Sequence, residues 1–225
     1  MASKYNWNDF DWDSMTDDID RIVALSKYYG SDPDFLLAGG GNTSIKMEDS
    51  LFIKASGVSL ADIDRDGFVE MVRDKVRDIL QKNYSLDPIM REEQVKNDML
   101  NARRYPERGT RPSVETMFHE QIRYKFIVHT HPSFINGLTC SVEGEAIAKE
   151  LFGDEALWVN YAPGYMLAKK VQRGLSAYRE KHKNKEPHII LLQNHGVFVS
   201  ADDPQEIKSI TDAVSYTHLR AHETV

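Results

Sequence analysis

The sequence predicts a single domain of mixed α/β or α+β class, on three observations. The chain has 225 residues, enough for one well-filled core and short for two. Short apolar runs at 51–54, 126–129, 189–192 and 197–199 are bounded by turn-forming residues, as strands and hairpins are. Between them lie stretches whose apolar residues recur at helical spacing. With 41% hydrophobic and 28% charged residues, the composition is globular and excludes collagen-like, low-complexity and wholly disordered chains.

The elements follow in order. Thr16 precedes a run with Ile19, Ile22, Val23 and Ser26 on one face, and Gly30 follows it, predicting an N-capped amphipathic helix with a glycine stop. The run Phe35-Leu36-Leu37-Ala38 entering Gly39-Gly40-Gly41-Asn42-Thr43-Ser44 reads as a strand and a glycine loop. Leu51-Phe52-Ile53-Lys54 then answers Ile45 across Glu48-Asp49-Ser50 as a hairpin. From Asp64 to Tyr105 the pattern is helical and charged, with Phe68, Val69, Val72 and Val76 on one face and a break at Leu86-Asp87-Pro88. Pro112-Ser113 opens another helix, 126–129 is a buried strand, 146–152 is helical up to Gly153, and 164–181 is a further helix. Ile189-Ile190-Leu191-Leu192 and Val197-Phe198-Val199 form a hairpin about Asn194-His195-Gly196. After Asp203-Pro204 a helix turns Ile207, Ile210 and Val214 inward. Residues 215–225 are too poor in apolar side chains to continue it and read as a disordered or foreign end, so the domain is placed at 1–214.

Charge narrows the function. The 28 Lys and Arg against 35 Asp and Glu leave a net charge of −7, a field that repels nucleic acid and anionic membrane faces. The excess is local: Asp9, Asp11, Asp13, Asp17, Asp18 and Asp20 crowd the beginning of the chain, whereas the stretch from Arg65 to Arg111 is rich in arginine, so an anionic small molecule can still be bound. No segment approaches the roughly 18 apolar residues a membrane span needs, and Met1-Ala2-Ser3-Lys4-Tyr5 leads into acidic residues and not an apolar run. The lone Cys140 has no internal disulfide partner, which agrees with a reducing compartment; a cytoplasmic location is expected.

The residues that carry chemistry are few. His129-Thr130-His131 ends an apolar strand, and strand alternation turns side chains at i and i+2 to one face, where two imidazoles can share an ion. His195 stands at a hairpin tip before Gly196, which lets the backbone turn, so three imidazoles can converge as a metal site with open positions. Glu115 falls in the first turn of the helix that runs into the His129 strand; helix stabilisation is its plain role, and reach to a ligand on the metal its functional one. His119, a turn later, reads as a packing residue or a support behind the ligands, since no His-Glu-x-x-His pattern surrounds it. The Gly39-to-Ser44 stretch, Ser56-Gly57 and Ser113 offer backbone N–H groups and hydroxyls suited to a phosphate monoester. The pattern is neither Gly-x-Gly-x-x-Gly nor a P-loop, which disfavours dinucleotide binding.

Taken in order, Gly41-Asn42-Thr43-Ser44, Ser56-Gly57, Pro112-Ser113-Val114-Glu115, His129-Thr130-His131 and Asn194-His195-Gly196 resemble the class II aldolase/adducin family over about residues 15–214. The long segment between Gly57 and Ser113 is similar to the aldolase halves of fusions with a short-chain dehydrogenase whose substrate is rhamnulose 1-phosphate, although no dehydrogenase pattern follows here. The resemblance implies a three-layer α/β/α domain around a mostly antiparallel central sheet. It implies Zn²⁺ on His129, His131 and His195, Glu115 as catalytic acid/base, and Gly41, Asn42, Ser56, Gly57 and Ser113 around a substrate phosphate. Val114 stands where compact members often have a second Ser, so one phosphate donor is missing. Tyr165 matches a tyrosine that reaches a neighbouring subunit's site as proton donor, and a homotetramer is implied.

The implied activity is lyase chemistry in carbohydrate metabolism: cleavage of a ketose 1-phosphate, rhamnulose- or fuculose-1-phosphate-like, to dihydroxyacetone phosphate and an aldehyde. Breaking a carbon–carbon bond beside a carbonyl leaves an enediolate that a divalent cation stabilises, with a carboxylate and a phenol moving protons. An epimerase or dehydratase could use the same plan. A non-enzymatic adducin-like interaction domain would lack the metal, and a metallohydrolase would not give an aldehyde and ketone pair.

Overall fold

The computed structural model describes residues 3–36 and 40–223, with 216–223 described by backbone alone. Among these residues seven strands form one sheet: β1 (Asn42–Lys46), β2 (Ser50–Lys54), β3 (Phe68–Val72), β4 (Phe126–Thr130), β5 (Ala156–Val159), β6 (Ile189–Leu192) and β7 (Gly196–Ala201). Their order is β3-β2-β1-β4-β7-β6-β5, antiparallel throughout except for the parallel pair β5·β6. The sheet is therefore mixed and mostly antiparallel, as expected. The helices are α1 (Asp18–Ser31), α2 (Arg73–Ile79), α3 (Pro88–Asn101), α4 (Thr116–Gln121), α5 (Ser133–Thr139), α6 (Gly144–Phe152), α7 (Tyr165–Lys181) and α8 (Pro204–Glu223). None of the helices is long and apolar enough to cross a membrane.

Strand alternation divides the core into two layers. On one face Ile53, Met71, Ile127, Ile190 and Phe198 pack against Val76 and Ile79 of α2, Met99 of α3, Phe118 of α4 and Leu167 and Leu175 of α7. On the other, Ile45, Phe126, Val128, Leu191 and Val199 meet Leu25 of α1, Ile135 of α5, Phe152 of α6 and Ile207 and Val214 of α8. The predicted three-layer α/β/α architecture is thus the one observed. The helix starts are local in origin: the Asp17 side chain accepts from the N–H of Ile19, and Asp87, before Pro88 at the first helical position, accepts from Met90.

Several expected boundaries differ. Phe68 to Val72 is a strand, not the start of a helix: it pairs with β2 from Lys54↔Phe68 to Ser50↔Val72, and Val69 and Met71 face one core while Phe68 faces the other. Its Phe-Val-Glu-Met-Val composition fits a period of two, and pairing with a strand distant in the chain overrides the helical spacing. Phe35 lies in a turn instead of a strand, and Leu37, Ala38 and Gly39 of the expected strand and loop fall outside the described residues. Gly30 sits inside α1, where a Cβ would come within 2.4 Å of the Leu60 Cβ, so its role is close packing and not a stop. The helix expected from Pro112-Ser113 begins at Thr116, because Pro112 bridges to Ala55. The backbone of α8 continues helical through 215–223, past the point where the sequence reading ends it. Strand β5 and helix α5 were not anticipated.

Candidate active site and metal centre

The site is built where β4, β1 and β7 lie side by side beneath α4. The pairings Asn42↔His129 and His129↔Phe198 place Asn42, His129 and Phe198 in one row across three strands. Ile127 faces the α4 side, so alternation turns His129 to that side as well, and the His131 ring follows it there, with ring centroids 4.7 Å apart. His195, on the β6–β7 turn, completes the cluster at 5.0 Å from each of the other two rings. The ligand atoms of His129, His131 and His195 all lie within 4.8 Å of one another, and the Nε2 atoms of His129 and His131 are 2.9 Å apart. The turn itself uses Asn194 at φ 58°; Gly196 serves close approach instead of the turn, since a Cβ there would lie 2.6 Å from His131 Cδ2 and 2.5 Å from the Thr130 carbonyl oxygen.

Glu115 occupies the position before α4, with Oε2 3.4 Å from His129 Nε2 and Oε1 3.4 Å from His195 Nε2. Burial pushes its carboxyl pKa up, opposed by His195 and by the hydrogen bond from Asn42. Burial pushes His129 down to about 3 and His131 down to about 4, so both rings are neutral at physiological pH and keep a lone pair for a cation. His129 Nδ1–H donates to the Val197 carbonyl at 3.0 Å, which leaves the Nε2 lone pair facing the cluster. Imidazole nitrogens sharing a tetrahedral ion bound at ~2.1 Å lie roughly 3.4 Å apart, between the 2.9 Å of His129 and His131 and the 4.8 Å that bounds the set. Glu115 Oε1 and His195 Nδ1 are buried without a hydrogen-bond partner, and an uncompensated cluster of this kind fits a bound cation.

The other predicted residues divide. Asn42, buried, donates its Nδ2–H to Glu115 Oε2 at 2.5 Å, and its Oδ1 accepts from His119 Nε2. Ser113 Oγ accepts from the Glu115 N–H at 3.2 Å. Ser56 and Ser113 line one cavity of about 220 Å³ with Glu115 and His195, and the Ser56 N–H donates to the Arg111 carbonyl at 2.8 Å. Gly57 has φ 86°; Gly41 has φ 73°, with no room for a Cβ beside the His129 carbonyl oxygen. Tyr165 is among the residues lining the cavity, while its hydroxyl donates to the carbonyls of Ile79 and Lys82.

Sequence reasoning missed the other walls of this cavity. Val95, Lys96, Met99 and Leu100 come from α3, a helix whose helical signal was legible but whose position was not. Lys96 and Arg111 put two cations on the lining; most other arginines of the 65–111 stretch are held by carboxylates, as Arg65 is by Asp17 and Asp20 and Arg73 and Arg77 are by Glu120. Lys54, one of the buried cations, is lowered in pKa by burial and partly restored by the charge of Glu115.

Fold and site together define an α/β protein that gathers three neutral imidazoles and a buried carboxylate at one end of a mixed sheet. The chain belongs to the Class II Aldolase and Adducin N-terminal domain family, whose profile matches residues 20–218. It is similar to the N-terminal class II aldolase domain of a conserved protein from Thermoplasma acidophilum, 27% identical, with TM-score 0.77 and 98% of each chain covered. An L-fuculose 1-phosphate aldolase from Thermus thermophilus shares the fold at 16% identity and TM-score 0.53, covering 90% of this chain and 95% of that one. The Bacillus subtilis protein named uncharacterized oxidoreductase YuxG is 28% identical over 232 residues, 94% of this chain. The chain spans about a third (32%) of the length of that curated relative.

Proposed function

We propose that the chain is a zinc-dependent aldolase that reversibly cleaves a ketose 1-phosphate, of the rhamnulose- or fuculose-1-phosphate kind, to dihydroxyacetone phosphate and an aldehyde. The observation that carries this reading is the cluster of His129, His131 and His195 beside Glu115, whose contacts to His129 and His195 are both 3.4 Å, with Glu115 and His195 lining one cavity. Family membership supports an enzyme of lyase or related type. A divalent ion held by the three histidines supplies positive charge against the negative charge that develops on oxygen as the carbon–carbon bond breaks.

The chain's own residues do the rest. Glu115, buried and raised in pKa, takes and returns the carbon-bound proton through its carboxylate. Gly41, Asn42, Ser56, Gly57 and Ser113 surround the substrate phosphate, with Lys96 and Arg111 lining the same cavity as Ser56 and Ser113 for its charge. Anchoring the phosphate away from the reacting carbons holds the substrate in a reactive orientation. Tyr165 is assigned to a neighbouring subunit's site in a homotetramer working in the cytoplasm, a role that requires its hydroxyl to leave the carbonyls of Ile79 and Lys82, and the domain proper is assigned to 1–214.

The test is a panel of ketose 1-phosphates with metal-loaded protein and detection of aldehyde, run beside Glu115→Gln. We expect aldehyde and dihydroxyacetone phosphate in equal amounts, a loss of roughly 10²- to 10⁴-fold in kcat for Glu115→Gln, and unchanged metal content in that variant. Cleavage by fully metal-free protein would sink the metal assignment. A product with its skeleton intact would point to an epimerase or dehydratase instead, and no bound metal at all to an interaction domain of the adducin kind.

A further inference from the structure

We propose that α2, α4 and α7 enclose a second anion site, separate from the candidate active site, which takes a small phosphorylated compound through four arginines.

Helical spacing gathers the residues. Arg73 and Arg77, four apart, share one face of α2, and Gln172, Ser176 and Arg179 recur along one stripe of α7. Both helices pack on α4, which ends at Gln121, and Arg123 follows in the loop to β4. A cavity of about 450 Å³ opens there, and Arg73, Arg77, Arg123 and Arg179 all line it. Among the described residues, none lines both this cavity and that of Glu115 and His195. Helix α4 separates the two: Glu115 stands before its first residue and Gln121 is its last, about 9 Å apart along the axis at 1.5 Å per residue.

Carboxylates hold these guanidiniums in place without saturating them. Glu120, its side chain 1% exposed, accepts from Arg73 Nε at 3.0 Å and from Arg77 Nε at 2.8 Å. Arg179 donates Nε to Glu186 at 2.6 Å and Nη2 to the Gln121 carbonyl at 2.9 Å. Arg77 also reaches Asp74, while the Arg123 guanidinium donates to a neutral acceptor, Asn184 Oδ1, at 2.9 Å. Four guanidiniums thus stand against three carboxylates, of which Asp74 is solvated and weakly felt. Among the described residues, the hydrogen bonds of Arg73 and Arg77 run through Nε and Nη1, those of Arg179 through Nε and Nη2, and that of Arg123 through Nη1. Each fork keeps a terminal nitrogen for a ligand.

The lining indicates what that ligand is. Arg73 and Arg179 retain only 19% and 18% of their side-chain exposure, so their charge is recessed in a cavity of small-molecule size. Recessed N–H forks match the oxygens of a phosphoryl group. Gln121, on the same lining, donates its amide to the Met117 and Ala168 carbonyls, and its Oε1 is buried without a hydrogen-bond partner among the described residues. That acceptor calls for a hydroxyl, which hydrogen phosphate or a phosphorylated polyol carries beside its anionic oxygens.

Binding of inorganic phosphate at constant ionic strength tests this. Calorimetric titration of the parent should show a site whose dissociation constant rises about tenfold or more in Gln172→Glu, where a carboxylate of the same shape joins the arginines on the lining. Ser176→Asp, at an exposed position of α7, should do the same, and it carries the test should Gln172→Glu not fold. In crystals soaked with tungstate, a phosphate analogue, the ion should lie within hydrogen-bond distance of Arg73 and Arg179 in the parent and be absent from the variants. Phosphate titrations that superimpose for the parent and both variants would overturn the proposal, as would a parent cavity free of tungstate. Phosphate held in the cavity of Glu115 and His195 does not meet either substitution, so binding there is not mistaken for this site. The readout is binding and not turnover, so the outcome is independent of the aldolase reading.

Discussion

At the residue scale, burial decides what each titratable group is at neutral pH, and the site exploits this. The same desolvation that leaves His129 and His131 as neutral imidazoles also falls on Lys46, whose side chain is on the α4 side of β1 with Asn42 and Ser44. Burial drives Lys46 down to about 7, against the raising effect of Glu120, Glu186 and Asp202, and its ammonium donates to the Tyr124 carbonyl at 3.0 Å. The unfolded chain binds this proton below its ordinary pKa of 10.5, and the native chain only near 7. Folding stability from this group therefore falls as pH drops from 10.5 to about 7 and is level below that. Lys46→Met should be more stable than the parent at pH 7 by roughly 1–3 kcal/mol, after loss of the Tyr124 hydrogen bond. The gain should shrink steadily toward pH 10. Urea denaturation of both proteins from pH 7 to 10 checks this, and a gain independent of pH would assign the effect to packing instead.

At the element scale, the metal cluster depends on how closely β7 can approach β4. Gly196 opens β7 at the level of Thr130, and a Cβ there would lie 2.5 Å from the Thr130 carbonyl oxygen, 2.6 Å from His131 Cδ2 and 3.3 Å from His129 Cε1. Two of these contacts are far below van der Waals distance, and the carbonyl belongs to a strand that cannot yield without shifting the ladder. Gly196→Ala should cost about 1–3 kcal/mol of stability and lower any metal content together with activity, because the methyl group displaces His131 and His129. Denaturation curves with metal analysis of the purified variant test this. Metal content equal to the parent's in a stable Gly196→Ala protein would show that the strands can separate without disturbing the imidazoles. The same scale shows why α3 matters: it is anchored by Val95 and Met99 in the core and so brings Lys96 and Leu100 to the cavity.

For the whole molecule, an ion on His129, His131 and His195 would join β4 to the β6–β7 turn, segments far apart in the chain. Ligand bound to the native state alone stabilises it by about 2.7 kcal/mol at a hundred times its dissociation constant. Chelation should lower the melting temperature of the parent, and His195→Ala should melt at the same temperature with and without chelator; a shift retained in that variant would remove His195 from the ligand set. The C-terminal end is a second test at this scale. Val214 is the last buried apolar residue described in α8, which packs on β4 and β7. Deleting 215–225 should leave a cooperative transition, and its loss would show that the helix beyond Val214 carries packing of its own.

The sequence by itself determined the elements whose signals are local: the His-x-His pair on one face of a strand, the paired runs about Asn194-His195-Gly196, the start of α1 to within a residue (its cap is Asp17 and not Thr16), the break at Leu86-Asp87-Pro88, and a mixed α/β class. Periodicity of two or 3.6 reports which side chains share a face, and neighbours along the chain suffice to read it. Only the tertiary structure decided what each face meets. Phe68 to Val72 became a strand through its pairing with β2, and Glu115 reached His129 and His195 because α4 is docked on β1 through the bonds of His119 to Asn42 and Ser44. Asn42, which in sequence sits in a glycine-rich stretch suited to phosphate, turned to Glu115 because β1 lies beside β4 and beneath His119. Hydrogen-bond partners and close approaches of this kind are fixed by chain segments distant in sequence, Asn42 and Glu115 among them, and no local pattern records which segments those are.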